Sequence, residues 1–283
     1  MRSFTLSAAL LLLAPTLSAC NGGVGPDAST QIGLGFQVAQ SSTVAAFSSS
    51  ADGNGLTGAP PVVTTTALGL RIVRDADTLL ITSAQLVVRD VKLQSATAVC
   101  KDDDRSVSTT ASTSSSTTAS GERDDDCPTL RIGPFLVNVP VTGADGARIT
   151  VPVPAGTYSS LRMTLHKVTS SDSADAAFRQ TNPDFRDISA RISGTFNKAP
   201  FTFVSDVNAK LEVPLSAPLV IKAGGDDITV SIDLSMWFVR SQGGLYSPAL
   251  ANTPGNVRAA VQNNIRNAFR AFRDRDHDGK EDR

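Results

Sequence analysis

The sequence predicts an all-β protein, an antiparallel β-sandwich closed by one C-terminal amphipathic helix. Three observations lead there. Apolar residues recur at every second position in run after run, most plainly across residues 130–168. Short turns bearing Gly, Pro or Asn separate the runs. Only one stretch, near the carboxyl end, changes to a helical period. A period of two places alternate side chains on opposite faces of a pleated sheet, so each run has one face for a core.

Composition agrees with a globular body. The chain has 283 residues, 41% of them hydrophobic, which is enough for a sizeable core. Aromatics are only 5%, so that core must be built from Val, Leu, Ile and Ala. A formal net charge of −1 gives no reason to expect nucleic acid as a partner. Two histidines thin the field for acid–base or metal chemistry.

The amino terminus reads as an address. Arg2 precedes an apolar run at residues 6–14 that breaks at Pro15, too short to span a bilayer and suited to a signal sequence. Leu17-Ser18-Ala19-Cys20 resembles the lipobox of bacterial lipoprotein precursors. That resemblance implies cleavage after residue 19 and acylation of Cys20, with several acyl chains giving a firm membrane anchor. Asn21 does not match the inner-membrane retention signal, so the resemblance implies the bacterial outer membrane. Residues 20–30, rich in Gly, form a flexible tether.

A β-sandwich domain is expected over residues 31–250. Ile32, Leu34, Phe36 and Val38 make the first strand. Gly53-Asn54-Gly55-Leu56-Thr57-Gly58 matches a dinucleotide fingerprint on paper, but no strand precedes it and Pro60-Pro61 forbids the helix it would need. Residues 62–72 and 78–82 read as strands. Ala84, Leu86 and Val88 alternate, then the phase switches to Val91 and Leu93, which predicts a β-bulge at Arg89-Asp90 or a polar pocket lip there.

Residues 101–126 are Ser, Thr, Asp and Arg with almost nothing apolar, so a disordered insertion is expected. Cys100 and Cys127 flank it, and outside the cytoplasm a disulfide between them is the economical reading. Closing such a loop stabilises a fold by about 3–4 kcal/mol in the chain-entropy model. Acidic triplets beside both cysteines would either gather a hard cation or act as a solvated sheet guard.

Phe135, Val137 and Val139 alternate, as do Ile149, Val151 and Val153, then Leu161, Met163 and Leu165. His166 falls on the opposite face from those last three and is expected to be exposed. Residues 169–186 read as a loop. Further strands run through Ile188–Phe196, through Phe201 and Phe203 after a hairpin at Asn197-Lys198, through Leu211–Leu215, and through Ile228–Met236. Trp237 reads as a core plug rather than a carbohydrate platform. About ten short strands in this pattern predict a sandwich of the immunoglobulin or transthyretin kind.

Residues 251–283 are expected to form a helix and an acidic tail. After Thr253-Pro254, Val257, Val261, Ile265, Ala268 and Phe272 fall on one stripe of a helix of about five turns. Asp274, Asp276, Asp278 and Asp282 then resemble the start of an EF-hand loop and, more closely, a thrombospondin type 3 loop. That resemblance implies Ca²⁺, with weak affinity because the sequence given stops at Arg283, before the twelfth position of an EF-hand loop; a plain acidic tail is the other reading.

No GxSxG, HExxH, Walker A or CxxC motif occurs, and no pair of carboxylates is marked for hydrolysis. Catalytic residues are therefore not expected. Pro154-Ala155-Gly156-Thr157-Tyr158, the strand at 227–238 and the lipobox together resemble a family of uncharacterised bacterial lipoproteins. The expectation is a non-enzymatic binding or structural role at the cell envelope, with an unknown envelope protein or glycan as partner. A calcium-stabilised surface adhesion module and a glycan- or ester-directed hydrolase are the alternatives.

Overall fold

A computed structural model describes residues 29–39, 59–96, 133–143, 146, 148–222 and 226–282. Cys20, the paper fingerprint at 53–58, and Cys100 and Cys127 with the insertion between them lie outside the described residues.

The described chain is mostly β-sheet. Its twelve strands are β1 (Ser29–Val38), β2 (Val62–Thr66), β3 (Gly69–Arg74), β4 (Asp77–Ser95), β5 (Phe135–Val139), β6 (Arg148–Pro154), β7 (Gly156–Leu165), β8 (Ala190–Phe196), β9 (Ala199–Ser205), β10 (Ala209–Ile221), β11 (Asp226–Ile232) and β12 (Phe269–Arg273). They form one mixed sheet whose main path runs β2-β3-β4-β7-β10-β12-β11-β1-β6. β4 is the hub, pairing with β3, β5, β7 and β8. The purely antiparallel order expected from the sequence is corrected at two places: β1 lies parallel to β11, and β10 parallel to β12. Parallel neighbours need a long connection, and alternation within a strand carries no information about which distant strand it will join.

The path narrows between β10 and β12, which share the single register pair Leu215↔Ala271. There β10 slips its register against β7 between Pro214 and Leu219. Proline cannot donate to a ladder, so a strand carrying Pro214 and Pro218 breaks pairing at that point. One core nevertheless spans both sides of the junction: Ile32, Leu34, Phe36, Ile228 and Val230 belong to the same buried cluster as Leu70, Ile81, Leu86 and Leu161.

Several local expectations are met. β4 changes phase at Arg89-Asp90, where Asp90 has φ +54° and the register against β7 shifts. Asn197 and Lys198 both take positive φ, the backbone of a tight two-residue hairpin between β8 and β9. Trp237 is fully buried. Other details differ. The run at 62–72 is cut by a turn into β2 and β3, while the strand read at 78–82 continues through the bulge as one 19-residue β4.

The expected five-turn helix is shorter. α3 covers Asn256–Arg266, and the chain then enters β12, so Ala268 lies beyond the helix and Phe272 in the strand. Phe269 and Ala271 are the buried, alternating residues there, and pairing with β11 along five residues outweighs a last helical turn. Two short helices, α1 (Asp175–Thr181) and α2 (Pro248–Ala251), also occur. α1 replaces an expected loop, because Phe178 packs edge-on to Phe185 over Val87 and Val168.

One glycine is tested by its closeness to backbone. Gly194 of β8 pairs with Ile81 beside a register shift in β4, and a Cβ there would stand 1.8 Å from the Leu80 carbonyl oxygen. Gly194→Ala is expected to cost about 1–3 kcal/mol in urea denaturation, since backbone must move to admit it. A loss below about 0.5 kcal/mol would mean that the two strands slide freely.

Candidate metal centre

The site begins with glycines. In β1 the residues facing away from the core include Gly33 and Gly35, set between Ile32, Leu34 and Phe36. Their register partners in β11 are Asp227 and Thr229. A Cβ on Gly33 would lie 1.9 Å from Asp227 Oδ1, and one on Gly35 would lie 3.3 Å from Thr229 Oγ1. The missing side chains leave room for polar groups to lie over β1, among them Arg148, whose Nη1 reaches Asp227 Oδ1 at 3.3 Å.

The carboxyl-terminal segment docks onto this face. Asp274 follows β12 and its amide donates to the Asp227 carbonyl at 3.1 Å, so the residue continues the ladder inward. Its side chain is 1% exposed. Thr229 Oγ1 donates to Asp274 Oδ2 at 2.7 Å, whereas Oδ1 is buried without a hydrogen-bond partner. One oxygen each from Asp274, Asp276 and Asp278 lies within 4.8 Å of the others. His277 and Gly279 take positive φ, and the Asp278 and Lys280 amides donate to Asp276 Oδ1 and Asp278 Oδ1, which curls the loop.

Its neighbours hold the loop from outside. Gln37 Nε2 donates to the Gly279 carbonyl at 2.8 Å, and Arg275 Nε to Asp226 Oδ1 at 3.0 Å. His277 Nε2 stands 3.1 Å from Asp227 Oδ2. The hydrogen bond from Lys280 holds the Asp278 carboxyl below its usual range. Asp282 does not join the three aspartates: its Oδ2 accepts the Arg275 amide at 2.6 Å. The structure thus brings together three of the four aspartates the spacing marked. A cavity of about 160 Å³ adjoins them, lined by Asp274, Asp278, Thr229, Gln37 and Arg148 among others.

A second polar cluster was not foreseen, and it corrects the reading of His166. Alternation put that ring on an exposed face, but β7 ends at Leu165, and His166 is 5% exposed. Its Nε2 lies 2.7 Å from Oδ1 of Asp175, the first residue of α1, which is fully buried. Asp175 Oδ2 accepts the Thr169 amide at 2.6 Å. From the bulge in β4, Arg89 reaches Asp172, Asp90 at 3.2 Å and Asp175 at 3.8 Å. The hydrogen bond from Arg89 holds the Asp172 carboxyl below its ordinary value. Burial works against the Arg89 charge, but Asp172 and Asp90 outweigh it and its pKa rises.

His166, Asp172 and Asp175 also stand close enough to share an ion. Here, however, Arg89 already supplies the positive charge, and both oxygens of Asp175 are engaged. This cluster fastens α1 to the sheet. The phase switch at Arg89-Asp90 was its one visible sign in the sequence; nothing there marked Asp172 or Asp175.

Comparison of the chain with protein-family models, with curated proteins and with solved structures gives no match. Any functional reading therefore rests on its own residues. No helix among the described residues is long and apolar enough to cross a membrane.

Proposed function

We propose that this chain is an exported lipoprotein, anchored through Cys20 to the bacterial outer membrane, whose β body serves as a non-enzymatic binding or structural module of the cell envelope. The observation that carries this reading is the apolar run at 6–14 followed by Leu17-Ser18-Ala19-Cys20, which resembles a lipoprotein signal. Only a short stretch separates Cys20 from β1 at Ser29. At the reach of an extended chain it spans at most roughly 30 Å, so the sheet would stand close to the membrane surface. A sandwich of the immunoglobulin or transthyretin kind is the architecture proposed for the body, because one core joins the two parts of the sheet across the narrow β10–β12 junction. Such a body presents its loops on a rigid frame, where an envelope protein or glycan would bind.

The test is metabolic labelling with an alkyne fatty acid in a Gram-negative host, followed by membrane fractionation. Labelled protein in the outer-membrane fraction is expected, and Cys20→Ser should abolish the label. Unlabelled protein released in soluble form would overturn the anchor. Trypsin on intact cells then tells the class of partner: cleavage within 101–126 directs the search outward, and cleavage only after the outer membrane is opened directs it to the cell wall.

A further inference from the structure

We infer that the loop at 274–279 is a site for a hard divalent cation, Ca²⁺ by its chemistry, held by Asp274, Asp276 and Asp278 and not by Asp282. Acidic spacing alone would not carry this, since clustered aspartates are common on surfaces. What carries it is Asp274 Oδ1, a carboxylate oxygen buried in a residue 1% exposed and left without a partner. Burying an ionised carboxylate without compensation is expensive, so such an oxygen calls for positive charge.

The cationic side chains around it are directed elsewhere. Arg275 pairs with Asp226, Arg148 and His277 approach Asp227, and Lys280 pairs with Asp278. The spacing fits one ion. Calcium–oxygen bonds run about 2.3–2.6 Å, so two ligands of one ion stand at most roughly 5 Å apart. The three aspartate oxygens lie within 4.8 Å of one another. The donors are oxygens alone, because the one histidine of the loop is turned to Asp227, and an all-oxygen set selects a hard cation over zinc or copper.

The adjoining cavity of about 160 Å³ gives room for the waters that complete six to eight ligands. Lys280 must release one oxygen of Asp278, but that pair is solvent-exposed and contributes little. Three carboxylates without a bidentate acid place the affinity on the order of 10⁻⁴–10⁻³ M, the range of extracellular modules. The ion's structural effect arises through Thr229 and Gln37, which tie its ligand Asp274 and its loop to β11 and β1. Bound cation locks the carboxyl-terminal segment onto the sheet.

The experiment is calorimetric titration of CaCl₂ into the lipidated full-length protein in detergent, with melting curves in CaCl₂ and in EGTA. Saturable binding is expected, with a melting midpoint raised by roughly 3–5 °C at ten times Kd. Asp274→Asn should lose both, while melting in EGTA close to the parent, because asparagine keeps an acceptor for Thr229 and removes a carboxylate whose other oxygen has no partner. A role as a mere acceptor for Thr229, which asparagine can also fill, would instead leave the calcium response intact. Asp278→Asn, at an exposed position, should weaken binding at least tenfold without harming the fold. Asp282→Asn should change affinity less than twofold. The site is overturned if the parent shows no response at 10 mM Ca²⁺, if NaCl of equal ionic strength gives the same rise, or if both Asp274→Asn and Asp278→Asn still respond. A loss with Asp282→Asn equal to that with Asp274→Asn would overturn the three-aspartate set.

Discussion

Asp175→Ala is expected to destabilise the protein by about 2–4 kcal/mol, the cost of leaving buried donors without their acceptor. The carboxylate is fully buried and serves three groups: the Thr169 amide, the His166 ring and, at 3.8 Å, the Arg89 guanidinium. Alanine leaves the amide and the ring without their acceptor inside the structure. It also frees the start of α1, whose Phe178 and Phe185 cover Val87 and Val168 in a satellite of the main core. Asp175→Asn keeps one acceptor oxygen and should fall between the parent and Asp175→Ala. Asp184→Ala is the comparison: its carboxylate pairs with Arg191 but is 75% exposed, and the loss should stay within about 1 kcal/mol.

Urea denaturation at pH 7 reads all three variants. The Asp172 carboxyl is held below its ordinary value by Arg89, so its contribution is complete above the unfolded-state pKa and lost only as pH falls through the lower folded value. The Arg89–Asp172 pair is therefore fully charged at pH 7, and differences there report Asp175 itself. Equal effects for Asp175→Ala and Asp184→Ala would show that the cluster is solvated and holds nothing.

The sequence made the sheet readable wherever burial is one-sided, because there alternation is the direct imprint of the pleat. Ile32, Leu34 and Phe36, or Leu161, Met163 and Leu165, needed no further information. The bulge at Arg89-Asp90 was equally visible, since an inserted residue must flip the phase of the rest of its strand. Alternation misleads one residue past a strand's end, and His166 sits there. Nor does a helical stripe show where it gives way to a strand: the stripe takes in Ala268 and Phe272, whereas β12 buries Phe269 and Ala271. α1 escaped because seven residues are too few to show a period, and it is held by single residues, Phe178 in the satellite core and Asp175 at His166.

The aspartate cluster was partly legible for a similar reason. Alternate aspartates in a tight loop fall near one another, and one oxygen each of Asp274, Asp276 and Asp278 does lie within 4.8 Å of the others. Spacing cannot say which carboxylate turns back to accept the Arg275 amide, and Asp282 does so. Nor does it reveal that Gly33 and Gly35 clear the floor on which the loop rests. Glycine at two successive outward positions of an otherwise regular strand was the available signal.

Trp237→Ala is expected to cost about 3–5 kcal/mol, and Trp237→Phe no more than about 1.5 kcal/mol. The indole is fully buried just after β11. A 3-10 turn at Leu234–Met236 places it, with Asp233 accepting the Ser235 amide at 3.0 Å. α3 fastens the backbone from the other side, Asn264 Nδ2 donating to the carbonyls of Trp237 at 3.2 Å and Val239 at 3.0 Å. Phe238 packs beside it, edge-on to Phe203 at 5.3 Å. Alanine would open a large void in this dense region. Phenylalanine also removes volume, but with it goes the indole Nε1–H, a buried donor that has no partner. An unmade buried hydrogen bond costs about 1–3 kcal/mol, so its removal offsets much of the lost packing. The chain has one tryptophan, which makes fluorescence useless for these variants; far-UV circular dichroism in urea is the appropriate readout. Similar losses for the two substitutions would mean that the indole nitrogen contributes favourably and has found a partner. A small loss for alanine would mean that the core around Phe203 and Phe238 collapses to fill the space, and Trp237 would then be a filler rather than the plug between sheet and helix.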